Sequence, residues 1–402
     1  MTNLPQGWKM ETLGEILSSD KYSIKRGPFG SALKKSFFVE KGIRIFEQYN
    51  PINNDPHWKR YFISHEKFQE LEAFKATEGD LLISCSGTLG KIVELPKDTE
   101  MGIINQALLK IRLNNIKILN SYFIYYFNSP IMQEKILEST LGSAIKNIAS
   151  VKILKQIEIP LPPLKEQERI VGILDENFAK IDENIKILEQ DLLNLDELMQ
   201  SALQKAFNPL KDNAKENYKL PQSWEWKSLE EISENISAGG DKPKNCTESK
   251  TAKNQIPVYA NGVNNNGLVG YTDKATIIKP SLTISARGTI GFVCIRKEPY
   301  FPIVRLISLI PCENILCLHY LYFCLNFFIA KGEGSSIPQL TIPKFKSLQI
   351  PLPPLKEQEQ IAKHLDFVFE KTKALKELYT KELKDYEELK QSLLNKAFKG
   401  EL

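Results

Sequence analysis

The chain has 402 residues, 42% hydrophobic and 25% charged, with a formal net charge of +4. This is the composition of a soluble globular protein of two or three domains, and it leaves out the disordered, fibrous and disulfide-stapled classes. No run of 18 apolar residues occurs, the six cysteines form no CxxC pair, and MTNLPQGWKM lacks the apolar stretch of a signal peptide, so a cytoplasmic protein with no membrane span is expected.

In chain order, LPQGWKMETLGEI at Leu4 leads into a basic stretch, KYSIKRGPFGSALKKSFF. There Lys21, Lys25, Arg26, Lys34 and Lys35, with Ser31 among them, are suited to phosphate. Tyr49 follows, then NDPHWK at 54–59. That segment resembles the [DN]-P-P-[FYW] grip of an amino-methyltransferase, but His57 stands at the second proline and no glycine-rich loop accompanies it. It reads as a surface turn. ISCSGTLGKI at 83–92 has the ingredients of a phosphate loop, yet Cys85 stands at the first glycine and Ile92 at the hydroxyl position of the Walker pattern. INQAL then places Asn105 and Gln106, amides able to pair with adenine. LNSYFIYYFN (119–128) and GSAI at Gly142 precede IPLPPLKEQERIVGILD, which begins at Ile159.

The same order is then written again. LPQSWEWKSLEEI at Leu220 is followed by GGDKPKN, with Lys242 and Lys244, and by YANGVNNNG, with Tyr259, Asn261 and Asn264. ISARGTIGFV at Ile284 answers ISCSGTLGKI: Gly-Thr-x-Gly persists, Arg287 replaces Ser86, Thr289 matches Thr88, and Phe292 stands where Lys91 stood. A phosphate loop does not survive the loss of its lysine, so both stretches read as tight turns between strands. Arg305 follows. CENILCLHYLYFC, with Cys312, Cys317, His319 and Cys324, fits no common zinc spacing and reads as packed thiols. GSSI at Gly334, containing Ser336, and Gln339 lead to IPLPPLKEQEQIAKHLD at Ile350, 191 positions after its first copy. Ten consecutive identical residues at one offset establish a duplication.

Each PLPPLKEQE opens a long helix, with prolines before it and glutamates on its first turn. Leu174, Phe178, Ile181, Ile185, Leu188, Leu192, Leu195, Met199 and Ala202 then follow at steps of 4 and 3, an unbroken heptad seam. The second copy carries Leu365, Val368, Leu375, Tyr379, Leu383, Tyr386, Leu389 and Leu393, with Thr372 as an interruption. A helix over 166–207 is about 60 Å long, and the linker at 208–219 reaches about 40 Å. Antiparallel pairing follows, since parallel pairing would require the second domain to return to the far end of the first helix. It sets two diverged domains at opposite ends of one rod, about a pseudo-two-fold axis. The competing arrangement has each helix packing on its own domain alone.

The doubled PLPPLKEQE, the GT-[LI]-G turns and the closing LLNKAFKGEL resemble the specificity subunit of Type I restriction–modification systems across the whole chain. The resemblance implies an α/β fold of two target-recognition domains, mixed α/β with a β-rich core, separated by two long antiparallel coiled-coil helices. The divisions are residues 1–158, a central helix at 159–207, a linker at 208–219, a second recognition domain at 220–349, and a C-terminal helix at 350–402. It implies double-stranded DNA as ligand, two methyltransferase subunits and up to two restriction subunits as partners, and no cofactor on this chain. S-adenosylmethionine, ATP and Mg belong to those partners, so this chain is expected not to be an enzyme. Arg287 and Gln339 in the second half, and Gln106 and Ser86 in the first, are the expected base readers. A coiled-coil scaffold that reads no DNA is the competing class.

Overall fold

In the computed structural model, the described residues are 4–138, 148–207, 220–329, 332–333 and 340–402. They form two compact units: residues 1–188 with 381–402, and residues 189–380. Each unit therefore takes a share of both long helices.

Unit 1 holds a four-stranded antiparallel sheet in the order Ile24–Arg26, Leu108–Ile111, Leu81–Ser84, Ile92–Glu94. Leu81–Ser84 and Leu108–Ile111 are buried along their whole length, and neither sequence, LLIS or LLKI, shows the polar–apolar alternation of a half-exposed strand. A second sheet runs Phe38–Val39, Phe62–Ile63, Ile43–Phe46, Gly102–Ile104, Lys75–Ala76. Unit 2 repeats the first sheet with Ser233–Ala238, Ile307–Pro311, Ser281–Ile284 and Val293–Arg296. Its counterpart of the second sheet has three strands, Leu268–Thr272, Ile256–Tyr259 and Phe301–Pro302. Among the described residues, unit 1 also has a helix, Pro130–Glu138, without a counterpart in unit 2.

The repeated motif has a mechanical reason. Lys9–Thr12 pairs antiparallel with Glu158–Leu161, and Glu225–Ser228 pairs in the same way with Gln349–Leu352. Gln167 and Gln358, the glutamines of the two KEQE segments, are fully buried. The Gln167 oxygen accepts from the Leu119 N–H at 2.9 Å, and its amide donates to the carbonyls of Lys117 and Pro162 at 2.9 Å each. Gln358 does the same with the Cys317 N–H at 2.9 Å and the carbonyls of Ile315 and Pro353 at 2.9 and 2.8 Å. One amide thus satisfies three backbone groups that burial would otherwise leave unpaired. Tyr122 and Tyr320 add matching bonds to the carbonyls of Pro160 and Pro351.

The long helices span Leu164–Phe207 and Leu355–Lys399. In unit 1, Arg169 donates to the Leu402 carbonyl, and Asp182 pairs with Lys390. Rising numbers meet falling numbers, so the pairing is antiparallel. Leu394, Ala397 and Phe398 join the core of the first unit, with Phe398 edge-on to Tyr122 and Tyr126. The second helix therefore does not pack on its own half alone. In unit 2, Asp196 pairs with Lys376, and Phe207 inserts among Tyr320, Phe327 and Phe328.

The first seam is buried or half-buried at every expected position. The second needs correction: Leu375 and Leu389 are 39% and 45% exposed, whereas Thr372 is buried. Lys376 and Lys390, one position further along, are the half-buried residues and reach acids of the facing helix. A straight helix drifts by about 20° per heptad, and a lysine stem covers apolar surface while its ammonium stays in water.

Candidate nucleic-acid interface

In unit 1 four connections gather where the strands of the two sheets end: 27–30, 47–50, 85–91 and 105–107. Backbone bonds tie them together. Gly27 N–H donates to the Leu108 carbonyl, Asn105 N–H to Phe46, and Cys85 N–H to Ala107, at 2.8–3.0 Å. A side chain at Gly27 would place its Cβ 1.8 Å from the Asn105 carbonyl oxygen, so only glycine fits. Gly87 and Gly90 turn the chain with φ of 66° and 69°, and Gly288 and Gly291 do so in unit 2 with 70° and 80°. The Gly-Thr-x-Gly stretches are thus strand-to-strand turns.

Unit 2 builds the equivalent corner around Asn261. Its oxygen accepts from the Ala286 N–H at 2.8 Å and its amide donates to the Val304 carbonyl at 2.7 Å. Val304 and Arg305 hold left-handed φ values of 54° and 60°, a conformation costing about 1–3 kcal/mol each for residues other than glycine. Bonds from their N–H groups to Gly240 and Gly239, both 2.8 Å, hold them there. The result is a cavity of about 380 Å³ whose lining includes Gly239, Ala286, Arg287, Arg305 and Thr341. Arg287 and Arg305 both line it, and a planar guanidinium fork is of the geometry that suits guanine O6/N7.

The residues singled out from sequence divide into three groups. Ser86, Thr88, Lys91, Asn105, Gln106 and Tyr49 fall on the gathered connections of unit 1, and Arg287, Thr289 and Arg305 on those of unit 2. Thr88, Lys91, Gln106 and Tyr49 are exposed, and Tyr49 stacks on Trp58 at 4.3 Å between ring centres. Ser31, Lys34 and Lys35 are exposed on the segment entering Phe38–Val39, Lys242 and Lys244 are exposed on a loop, and Asn264 is exposed at the start of the short helix Asn264–Gly267.

A second group is occupied internally. Both ends of the Asn261 amide hold backbone, and the Asn105 oxygen accepts from the Ala107 N–H at 3.0 Å. Tyr259 carries the Arg296 guanidinium over its ring at 3.5 Å. Lys25, expected at a phosphate beside the loops, lies instead between the rings of Tyr22 and Phe74, at 5.4 and 5.2 Å. Ser336 and Gln339 lie outside the described residues, as do both GSAI and GSSI from the glycine onward to 147 and 339, and the linker at 208–219.

NDPHW is a turn. The Asp55 carboxylate accepts from the N–H groups of His57 and Trp58, both at 3.0 Å. Arg44, 1% exposed, donates to the carbonyls of Pro56 and Trp58 at 2.9 and 2.7 Å. Burial lowers the Arg44 pKa to about 10. Sequence reasoning missed Glu47 and Gln48, which follow strand Ile43–Phe46 into the cluster. One carboxylate oxygen of Glu47 and the amide oxygen of Gln48 are buried without a hydrogen bond, and burial raises the Glu47 pKa. An acid directly after the strand Ile-Arg-Ile-Phe was their only signal. Among the described residues no His, Cys, Asp and Glu group is disposed to hold a metal, and no helix is long and apolar enough to cross a membrane.

The family described as Type I restriction modification DNA specificity domain matches residues 5–191 and again 221–385. A Mycoplasma pneumoniae protein named as type I specificity subunit S.MpnORF507P is 33% identical over 221 residues, covering 54% of this chain and 56% of that protein's length. A Methanocaldococcus jannaschii protein named as the MjaX type I restriction enzyme specificity subunit is 25% identical over 362 residues, covering 85% and 82%. A chain solved in work on complex assembly and conformational transition of the type I R-M system is similar in fold over 100% of both chains, with a TM-score of 0.81 at 21% identity.

Proposed function

Since this chain belongs to the Type I restriction modification DNA specificity domain family, we propose that it is the DNA sequence-recognition subunit of a Type I restriction–modification complex. The loop cluster of each unit reads one half of a bipartite site. The half-sites differ because the loops differ, Arg287 standing where the first half has Ser86. The division of the chain is that given by the repeat: recognition domains at 1–158 and 220–349, joined to helices at 159–207 and 350–402. The helices set the gap between the half-sites and dock two methyltransferase subunits, which flip out an adenine and methylate its N6. S-adenosylmethionine, ATP and Mg serve those subunits and two restriction subunits, and the assembly acts on cytoplasmic DNA.

Base contacts come from Ser86, Gln106, Arg287 and Gln339, with Tyr49, Asn264 and Arg305 beside them. Lys34, Lys35, Lys91, Lys242 and Lys244 meet phosphates, and Ser31, Thr88, Thr289 and Ser336 contact the duplex. Asn105, Asn261 and Tyr259 position those loops from behind.

The observation that carries this reading is the repetition of one loop-bearing corner, with the same turn and a different side-chain set, in both units. Long-read methylation mapping tests it. DNA from cells holding this chain and its methyltransferase subunit should show a split N6-methyladenine motif that is missing with either alone. Methylation by this chain alone, or none with an active partner, contradicts it.

A further inference from the structure

Away from the loop cluster, at the other end of the four-stranded sheet, unit 1 contains a second cavity, of about 350 Å³. It is lined by Asp20, Lys21, Tyr22, Glu72, Lys75, Thr77, Lys110 and Arg112. The strand register sets Lys110 directly opposite Lys25, and like charges so placed repel. Lys110 is 5% exposed and donates to the Lys75 carbonyl at 2.7 Å, across to the second sheet. Arg112 is held by Asp80, which is fully buried, and by Asp20 at 3.0 Å. Among the lining residues, Lys21, Lys75, Lys110 and Arg112 against Asp20 and Glu72 leave two positive charges in excess around an open cavity, and Lys25 opposite Lys110 and Asp80 on Arg112 cancel each other.

Such an excess is costly in a partly buried setting unless an anion completes it. Burial also holds the Lys110 ammonium below the ordinary lysine pKa, an effect that a bound anion reverses. The second half supplies an internal contrast. Aligned on the Gly-Thr-x-Gly turns and the strand registers, Lys25 and Lys110 correspond to Ser237 and Ser308, which face each other in unit 2. Asp80 and Arg112 correspond to Ser281 and Ile310. Unit 2 has uncharged residues at all four positions.

We infer that the first unit carries an oxyanion site at this cavity, large enough to admit a phosphate group, and that the second unit has none at the matching positions. The phosphate is either a free ion or part of a DNA backbone, and the inference does not depend on which bases the loops read.

Inorganic phosphate titrated into the full chain by calorimetry, at constant ionic strength against chloride, should show one saturable site. Removing one charge-assisted contact by Lys110→Met should weaken it roughly tenfold or more. Because Lys110 is buried, Lys21→Ala on the exposed rim provides the second variant: weaker phosphate binding, with unchanged unfolding in phosphate-free buffer. Ser308→Ala in unit 2 should leave phosphate binding as it was. If a backbone phosphate is the occupant, Lys21→Ala also lowers the salt dependence of duplex binding by about one counterion. An unchanged salt slope with weakened phosphate binding assigns the site to the free ion. Absence of saturable phosphate binding together with an unchanged slope overturns the inference, as does phosphate binding indifferent to both lysine changes.

Discussion

Unit 1 sets Asp80, Lys110 and Arg112 into and beside its central strands, where unit 2 sets Ser281, Ser308 and Ile310. The first group is tied by Arg112 reaching the Asp80 carboxylate at 2.7 and 2.9 Å, the second by Ser281 meeting the Tyr300 hydroxyl at 2.9 Å. Both sheets nevertheless keep the same strand order and register. The Gln167 and Gln358 clamps, by contrast, are the same bond for bond. A duplicated fold thus takes charged or neutral side chains at the same strand positions without a change of strand order or register. It does not tolerate variation where one side chain must satisfy three fixed backbone groups.

The comparison is tested most strongly at the clamps. Gln167→Leu and Gln358→Leu each leave two carbonyls and one N–H without their partner, one of the carbonyls in a buried bond, a loss of about 2–3 kcal/mol. The two variants should destabilise their own units to a similar degree, as read by hydrogen exchange unit by unit. Unequal losses would break the equivalence of the two clamps.

A smaller and unequal pair comes next. Asp80→Asn should cost about 2–3 kcal/mol in urea unfolding, less than a fully buried pair because Arg112 is partly solvated. Ser281→Ala should cost about 1 kcal/mol. Equal costs would mean that the charged cluster is no more than a substitute for the neutral one.

The smallest effect concerns Glu47. Burial raises its folded-state pKa above the unfolded value, so the folded chain holds more proton there than the unfolded chain does. Stability therefore falls as pH rises across that interval, and Glu47→Gln should remove this component of the slope. Urea midpoints measured across the acid range check the sign. A variant with an unaltered slope would place the carboxylate in solvent.

The long-range plan was legible because it is written twice. A repeated ten-residue segment, heptad steps and paired glycines are local patterns, and helices and tight turns are formed by local contacts. The sheets were harder to read, since partners such as Lys110 and Lys25 are far apart in sequence and their strands are short. The drift from Leu375 to Lys376 also escaped the heptad count, because a real helix turns every 3.6 residues rather than 3.5. At the loops, residue type alone did not separate an exposed side chain from an internal brace. Asn261 and Gln106 are both amides in turns, yet the first holds Ala286 and Val304 together while the second is exposed. Only the placement of neighbouring backbone groups distinguishes them.

The central claim is that two separate corners of one chain read two separate half-sites. The most direct measurement maps the N6-methyladenine motif in cells carrying the methyltransferase subunit with the natural chain or with Arg287→Ala. The expected result is a relaxed or altered base preference in one half of the motif, with the other half and the gap unchanged. An unaltered motif at an unaltered rate would remove Arg287 from base reading. Simultaneous change in both halves would contradict the separation of the two corners.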